Sequence, residues 1–191
     1  PCRSAIRDAH GVEVATLAAD VTTQQGQNSL LEAAGQVDIL VTNAGGPPPG
    51  MWTDWDRDDF IAAFDANLLT PIALIKALLP RMMERGWGRI VNITSAAVKA
   101  PIPHLGLSNA ARTGLTGFVA GLARQVAAHN VTINNLLPGQ HETERLVQNY
   151  QHTAKISGQS FEQTWNEGAA RNPARHRSRR RLVRAARRRP R

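Results

Sequence analysis

The chain lacks the features that mark secreted, metal-binding and membrane-spanning proteins. It has one cysteine in 191 residues, which excludes an internal disulfide framework and a C-x-x-C metal site. No run of about 18 uncharged apolar residues occurs, so no transmembrane helix is predicted. The N-terminus has no charged-then-apolar signal pattern. These absences predict a cytoplasmic protein with no membrane partner and no metal site.

Acidic residues are absent from the C-terminal end. Residues 171–191 contain 11 Arg and no Asp or Glu, which leaves 12 Lys and Arg against 15 Asp and Glu in the other 170 residues. A nucleic-acid partner would therefore depend on the tail alone, because the body is mildly acidic. We predict a folded domain over residues 1–173 and a disordered basic tail over 174–191. A switched reading frame accounts best for the tail; a basic tail for nucleic acid or membrane, or a solvated helix end, are the alternatives.

Short apolar runs alternate with longer helical patterns through the body of the chain. Four runs bounded by turn residues are typical of buried strands and span 12–17, 37–42, 89–94 and 131–137. Helical periodicity covers 22–35, 54–85 and 108–129, and Pro71 is expected to kink or divide the second stretch. Strand alternating with helix predicts an α/β fold with a doubly wound parallel sheet.

Small and polar residues stand at the carboxyl end of each predicted strand, where open parallel sheets bind ligands. They are Asp20 and Val21; Asn43, Ala44 and Gly45; Ser95; and Pro138, Gly139 and Thr143. Together with Asn67, their order and spacing resemble the short-chain dehydrogenase/reductase family over about residues 10–173. The resemblance implies a Rossmann-like fold, NAD or NADP as cofactor and hydride transfer to or from a small carbonyl or alcohol. It also implies a homodimer or homotetramer in an intact version.

The resemblance implies a role for each of these residues. Asp20 and Val21 would meet the adenine, while Asn43, Ala44 and Gly45 would lie against the cofactor. Pro138 and Gly139 would shape a loop over the nicotinamide, with Thr143 at its carboxamide. Asn67 would open its helix and hold a water of the proton relay, and Ser95 would hydrogen-bond the substrate oxygen.

Two catalytic positions depart from the family pattern. The family has Tyr thirteen residues after the serine and Lys four further on, whereas this chain has Ser108 and Arg112 there. Its one tyrosine is Tyr150. The pattern resembles a divergent branch of 3-oxoacyl-carrier-protein reductase-like proteins, which implies 3-oxoacyl thioester reduction. We predict that Asn67, Ser95, Ser108 and Arg112 converge as the catalytic group.

The loss of the tyrosine leaves the proton donor open. His104 and His141 are candidates, although each is more often an ordinary loop histidine. A catalytically dead binding or scaffold relative is the alternative function, and nucleic-acid binding through the tail is a further one. A hydride-transfer assay would distinguish an active oxidoreductase from a catalytically dead relative. Salt-dependent binding of nucleic acid that is lost when the tail is removed would identify the nucleic-acid function.

The glycine-rich diphosphate loop of the family is also missing. The first two strands and the last strand of the doubly wound order have no counterpart in the sequence. We therefore predict an incomplete sheet in which 37–42, 89–94 and 131–137 are adjacent and parallel and the run 12–17 has no neighbour. Because the diphosphate normally sits at a helix N-terminus, we expect this chain to bind dinucleotides poorly and to be inactive as it stands.

Overall fold

A computed structural model describes residues 2–139 and 143–171. The predicted tail over 174–191 and the candidate His141 lie outside these residues. The strands are β1 Ile39–Thr42, β2 Gly88–Ile93 and β3 Val131–Leu136. The helices are α1 Cys2–His10, α2 Gln24–Ala34, α3 Arg57–Phe64, α4 Thr70–Glu84, α5 Gly106–Val126, α6 Glu144–Ser157 and α7 Phe161–Arg171. Short helical turns cover Asp65–Leu69, Ala96–Val98, Pro103–Leu105 and Ala127–His129.

The three strands form one parallel sheet in the order β1-β2-β3. Leu40 pairs with Ile90, which pairs in turn with Ile133. The segment with α3 and α4 connects β1 to β2, and the segment with α5 connects β2 to β3, as parallel strands require. The predicted incomplete Rossmann-like sheet is therefore confirmed, with strand bounds that differ from the predicted ones by one or two residues.

The core lies on one face of this sheet. Ile90 and Val131 turn inward there and meet Ile75 and Met82 of α4. Leu115, Val119 and Val126 of α5 complete the buried cluster. Gly88 at the start of β2 permits the approach of α4, because a Cβ there would meet the Met82 side chain at 2.6 Å. The apolar faces of α4 and α5 thus fix the sheet whose carboxyl ends carry the candidate site.

The strand predicted over 12–17 is wrong. Residues 11–20 form no helix or strand, and Val12 and Leu17 are 47% and 46% exposed. An extended segment becomes a strand only when a neighbour pairs with its backbone groups, and β1 pairs with β2 alone. The prediction that this run has no neighbouring strand is met among the described residues, and without that neighbour its alternating residue types form no strand.

The long helix predicted over 54–85 is divided before Pro71. Residues Asp65–Leu69 form a widened π turn in which the Thr70 N–H donates to the Asp65 carbonyl oxygen. Pro71 follows in the first turn of α4, where its missing N–H leaves no bond broken. Asn67 lies buried in the π turn. The expectation that the helix opens locally at Asn67 is thus met.

Helical residues Arg57–Glu84 are long and apolar enough to span a membrane by length and composition. This is weak evidence, since the core helix of a water-soluble domain passes the same test. Ile75 and Met82 of this stretch have no exposed surface and pack against the sheet. Packing accounts for these buried side chains, and 39% of the apolar window is buried in the structure.

Candidate active site

Arg112 joins the carboxyl ends of two strands. Its guanidinium donates hydrogen bonds to the carbonyl oxygens of Ile93 at 2.8 Å and Thr94 at 3.2 Å, at the end of β2. It also donates to the Ala44 carbonyl oxygen at 3.2 Å, just after β1. The side chain is only 8% exposed, so these bonds compensate the burial of a charge. The planar, multi-donor guanidinium suits three carbonyls in a way that a lysine ammonium does not.

A small cavity of about 150 Å³ lies beside this guanidinium. Among its lining residues are Val21, Asn43, Ala44, Asn67 and Arg112. The Asn67 side-chain oxygen is buried and has no hydrogen-bond partner. A cavity of this size and polarity accommodates ordered water, which would satisfy that oxygen. The structure therefore brings together two of the four predicted catalytic residues, Asn67 and Arg112, at one cavity.

A larger cavity of about 500 Å³ opens at the ends of β2 and β3. The lining residues predicted from the sequence are Asn43, Ser95, Pro138, Gly139 and Thr143, together with the candidate acid His104. Asn43 lines both cavities. The predicted substrate-binding serine and the predicted nicotinamide loop thus line the same open cavity.

Main-chain hydrogen bonds fix Ser95 next to that loop. The Thr94 N–H donates to the Leu136 carbonyl oxygen at 2.8 Å, and the Ala96 N–H donates to the Pro138 carbonyl oxygen at 3.0 Å. The Ser95 hydroxyl oxygen accepts the Ala97 N–H at 3.1 Å and so caps the turn Ala96–Val98. A hydroxyl that accepts one bond keeps its own proton available to a ligand.

Three predicted site residues lie apart from both cavities. Ser108 is buried in the first turns of α5 and lines neither. Asp20 is exposed, and its carboxylate accepts the Thr22 hydroxyl at 2.7 Å and the Thr22 N–H at 2.9 Å, two bonds that lower the pKa of Asp20. Gly45 is exposed, with no atom within 4 Å of a Cβ built on it. The Asp20 carboxylate therefore stabilises a local turn, while Val21 beside it lines the small cavity.

Four residues of α6 line the larger cavity although the sequence did not predict them as site residues: Leu146, Asn149, Tyr150 and Thr153. Their spacing places them on one face of a helix, a pattern that was readable from the sequence. The position of α6 beside the segments that follow β2 and β3 depends on contacts between distant residues, so the pattern alone did not connect it with the site.

His104 stands where the larger cavity meets α6. Its ring centroid lies 6.2 Å from that of His152, and the Nε2 of His152 is buried without a hydrogen-bond partner. Burial of His104 lowers its pKa below the usual 6.5, and the nearby His152 lowers it further. Within residues 2–139 and 143–171 no group of three or more His, Cys, Asp or Glu is placed to hold a metal ion.

The sequence profile described as short chain dehydrogenase matches residues 2–154. The chain belongs to the short-chain dehydrogenase family. Relatives include a 2,3-dihydroxy-2,3-dihydro-p-cumate dehydrogenase of Pseudomonas putida, 36% identical over 71% of this chain and 54% of the relative. A 3-oxoacyl-[acyl-carrier-protein] reductase of Vibrio cholerae is 33% identical over 74% of this chain and 60% of the relative. The chain thus spans little more than half the length of these two short-chain dehydrogenases.

A solved structure agrees with this assignment. The structure of an actinorhodin polyketide ketoreductase with NADPH matches at a TM-score of 0.79 with 30% identity. The match covers 90% of this chain and 67% of the ketoreductase. The shared architecture extends beyond the three-stranded sheet to the helices around it, since these occupy most of the matched length.

Proposed function

We propose that the protein is an oxidoreductase that transfers a hydride between a nicotinamide cofactor and a carbonyl or alcohol substrate. The observation that carries this proposal is the 500 Å³ cavity in which Ser95 and the loop of Pro138 and Thr143 meet. A substrate oxygen that gains negative charge during hydride transfer needs at least one hydrogen-bond donor, and the hydroxyl beside the loop is such a donor. The 3-oxoacyl-[acyl-carrier-protein] reductase relative makes a 3-oxoacyl thioester the first substrate class to test.

NAD or NADP is the cofactor that we propose. The residues near the larger cavity fit its nicotinamide end, because Asn43, Pro138 and Thr143 line one wall together. The adenine end is less enclosed, since Asp20 is exposed and its carboxylate is engaged by Thr22. In the described residues Gly45 and Gly46 follow β1 but α3 begins only at Arg57, so no tight glycine-rich turn leads from a strand directly into a helix N-terminus, where a diphosphate would bind. The sequence led us to expect an inactive chain; because Ser95 and the predicted nicotinamide loop line one cavity, we instead propose weak dinucleotide binding, with turnover detectable only at saturating cofactor.

The test combines calorimetry with a reductase assay. NADH and NADPH are titrated into the purified chain, and reduction of acetoacetyl-CoA, a simple 3-oxoacyl thioester, is followed at saturating NADPH. Ser95→Ala is expected to reduce kcat by about 10²-fold, as the loss of one donor to a developing oxyanion does. Ser4→Ala, on an exposed helix face, is the matched control. Equal rates for the two variants, or no rate in the unmodified chain, would overturn the proposal.

A second function has its own support. Ser108 and Arg112 replace the acid/base pair of the family, and the Arg112 guanidinium is engaged by three main-chain carbonyls. A relative that binds without catalysis would keep these three hydrogen bonds of Arg112, the Arg112 brace. It would bind the cofactor or substrate without turnover. Tight calorimetric binding of acetoacetyl-CoA with no oxidation of NADPH would favour this alternative. In either case we propose a cytoplasmic homo-oligomer that acts on a small molecule.

A further inference from the structure

The larger cavity has a hydroxyl donor but lacks a phenol at position 108. Of the described residues that line this cavity, two carry titratable side chains, His104 and Tyr150. Ser108 does not line it. A site that moves a proton at neutral pH needs a group that exchanges one near that pH. The described part of the cavity wall therefore offers an imidazole and a phenol for this task.

The phenol of Tyr150 is held in the contact between α6 and α7. Its hydroxyl fills the space beside Gly168, where an added Cβ would overlap it. Its ring packs edge-on against Trp165, with ring centroids 5.4 Å apart. These contacts explain why Tyr150 is buried, and they assign its hydroxyl to the packing of the two helices. His104 is the remaining titratable side chain on the described wall.

We propose that His104 is the acid/base residue of this site and exchanges a proton with the substrate oxygen that Ser95 hydrogen-bonds. The proposal rests on the oxidoreductase function proposed above. In alcohol oxidation, the neutral imidazole takes the hydroxyl proton while the C–H bond breaks and the carbonyl double bond forms. A nicotinamide held beside Asn43, Pro138 and Thr143 would supply the hydride acceptor, which takes both electrons of the C–H bond, and in its reduced form the hydride donor. In carbonyl reduction, the imidazolium returns its proton to the oxygen while the carbonyl carbon gains the hydride.

The fold holds His104 in a fixed position. The residue lies in the turn Pro103–Leu105 that leads into α5, and its carbonyl oxygen accepts the Gly50 N–H at 3.0 Å. Trp55 packs against Gly106 on the next turn, where an added Cβ would overlap its ring. An imidazole anchored at its backbone and half-buried keeps a defined direction toward the cavity. Such positioning is what general acid/base catalysis demands of a side chain.

Within residues 2–139 and 143–171, the titratable side chains beside His104 come from α6. The His152 ring lies 6.2 Å away between centroids, and Tyr150 lines the same cavity. Burial together with the neighbouring His152 lowers the pKa of His104, so its neutral form predominates at pH 7. A neutral imidazole is ready to accept a proton from an alcohol, and its conjugate acid is a stronger donor than an ordinary imidazolium. His152 acts on the reaction through His104 and is a positioning residue.

The kinetic test compares three histidine variants. His104→Gln is expected to reduce kcat for acetoacetyl-CoA reduction by about 10²-fold with little change in KM, the usual effect of losing a general acid. It should also abolish the fall in rate that occurs as pH rises through the His104 pKa. His152→Gln removes the neighbour that lowers the His104 pKa, so that fall should move to higher pH. His129→Gln, exposed at the end of the turn Ala127–His129, should match the unmodified chain.

A second measurement is independent of turnover. The imidazole proton signals of His104 are followed by NMR through a pH titration, with and without saturating acetoacetyl-CoA. We expect the thioester to shift the His104 pKa and to leave the His129 pKa unchanged. A His104 pKa that does not respond to acetoacetyl-CoA would overturn the inference even in a chain without measurable turnover.

The outcomes separate the inference from the function on which it rests. If the unmodified chain reduces acetoacetyl-CoA and His104→Gln does so equally well, the inference is wrong and the oxidoreductase function stands. If His141→Gln removes activity and His104→Gln does not, the acid/base group is His141. If the unmodified chain neither binds NADPH nor oxidises it, the proposed function fails, and the NMR titration alone decides whether His104 belongs to a substrate site.

Discussion

The two cavities of the candidate site are built in different ways. The small cavity is lined by strand ends and by Arg112, whose guanidinium donates to the main-chain carbonyl oxygens of Ala44, Ile93 and Thr94. The larger cavity is bounded by side chains of α6, among them Asn149, whose buried Oδ1 has no hydrogen-bond partner. The small cavity also holds a buried oxygen without a partner, Asn67 Oδ1, but its charged group is the Arg112 brace. The titratable side chains His104 and Tyr150 line the larger cavity instead, so position 112 supplies a structural connection and the groups that can exchange a proton lie elsewhere.

The largest effect on stability is expected from removing the guanidinium of the Arg112 brace. Arg112→Ala removes three charge-assisted hydrogen bonds and leaves their buried acceptors unpaired, so the free energy of unfolding should fall by about 3 kcal/mol. Arg112→Lys should recover only part of this loss, because one ammonium does not match three carbonyls. Urea unfolding followed by tryptophan fluorescence measures both changes.

The matched control for the brace is Arg124→Ala. Arg124 is an exposed residue of the same helix, α5, so its loss should change the free energy of unfolding by less than about 0.5 kcal/mol. Equal urea midpoints for Arg112→Ala and Arg124→Ala would show that the guanidinium does not stabilise the strand ends.

A smaller effect is expected on the side of the larger cavity. Gly168→Ala would place a Cβ on the Tyr150 hydroxyl, and such overpacking costs about 1–3 kcal/mol. The disturbance should stay local, with faster amide hydrogen exchange in α6 and α7 and little change in the sheet. Gly121→Ala in α5 is the control, because no atom lies within 4 Å of its added Cβ. There the better helix propensity of alanine should stabilise the protein by up to about 1 kcal/mol.

Much of the fold was predictable because its signals are local. The runs at 37–42, 89–94 and 131–137 combine apolar residues with turn residues at their ends, and all three form strands. The run at 12–17 carries the same local pattern but forms no strand. A strand forms only beside another strand, and the residues of the run itself do not show whether such a neighbouring strand is present. Local pattern therefore predicts the capacity for a strand rather than the strand itself.

The site was predictable only where strand ends position it. Asn43, Ser95 and Pro138 follow strands directly, and the parallel sheet brings them to one cavity. Ser108 was placed by motif spacing along a helix, yet its side chain is buried away from both cavities. Asn149 and its neighbours on α6 line the same cavity from a helix that follows the sheet in the chain. The position of that helix depends on contacts between distant residues, which no spacing in the sequence reveals.

A still smaller change in stability is expected at Asn67. Its side-chain oxygen is buried without a partner, so Asn67→Ala removes an unsatisfied acceptor and should change the free energy of unfolding by less than about 1 kcal/mol. Reduction of acetoacetyl-CoA should nevertheless slow, if the oxygen holds a water of the proton relay. Asn109→Ala is the matched comparison, because the Asn109 amide donates to the Ile102 carbonyl oxygen at 2.9 Å. A larger loss of stability at Asn67 than at Asn109 would contradict the assignment of Asn67 to the reaction rather than to folding.

The smallest expected effect is on the pH dependence of the free energy of unfolding, and it tests the larger cavity alone. Burial and His152 lower the pKa of His104 in the folded protein below 6.5, its value in the unfolded chain. The unfolded chain therefore binds more protons as the pH falls through 6.5, and the free energy of unfolding must decrease with it. Above that pH both states are neutral at His104, and the contribution disappears. Urea midpoints measured on both sides of this range should fall less with acid in His104→Gln than in the unmodified chain, whereas His129→Gln should retain the full decrease. The same slope in all three proteins would mean that the folded state binds a proton at His104 as readily as water-exposed imidazole does, and the larger cavity would then be as solvated as the surface.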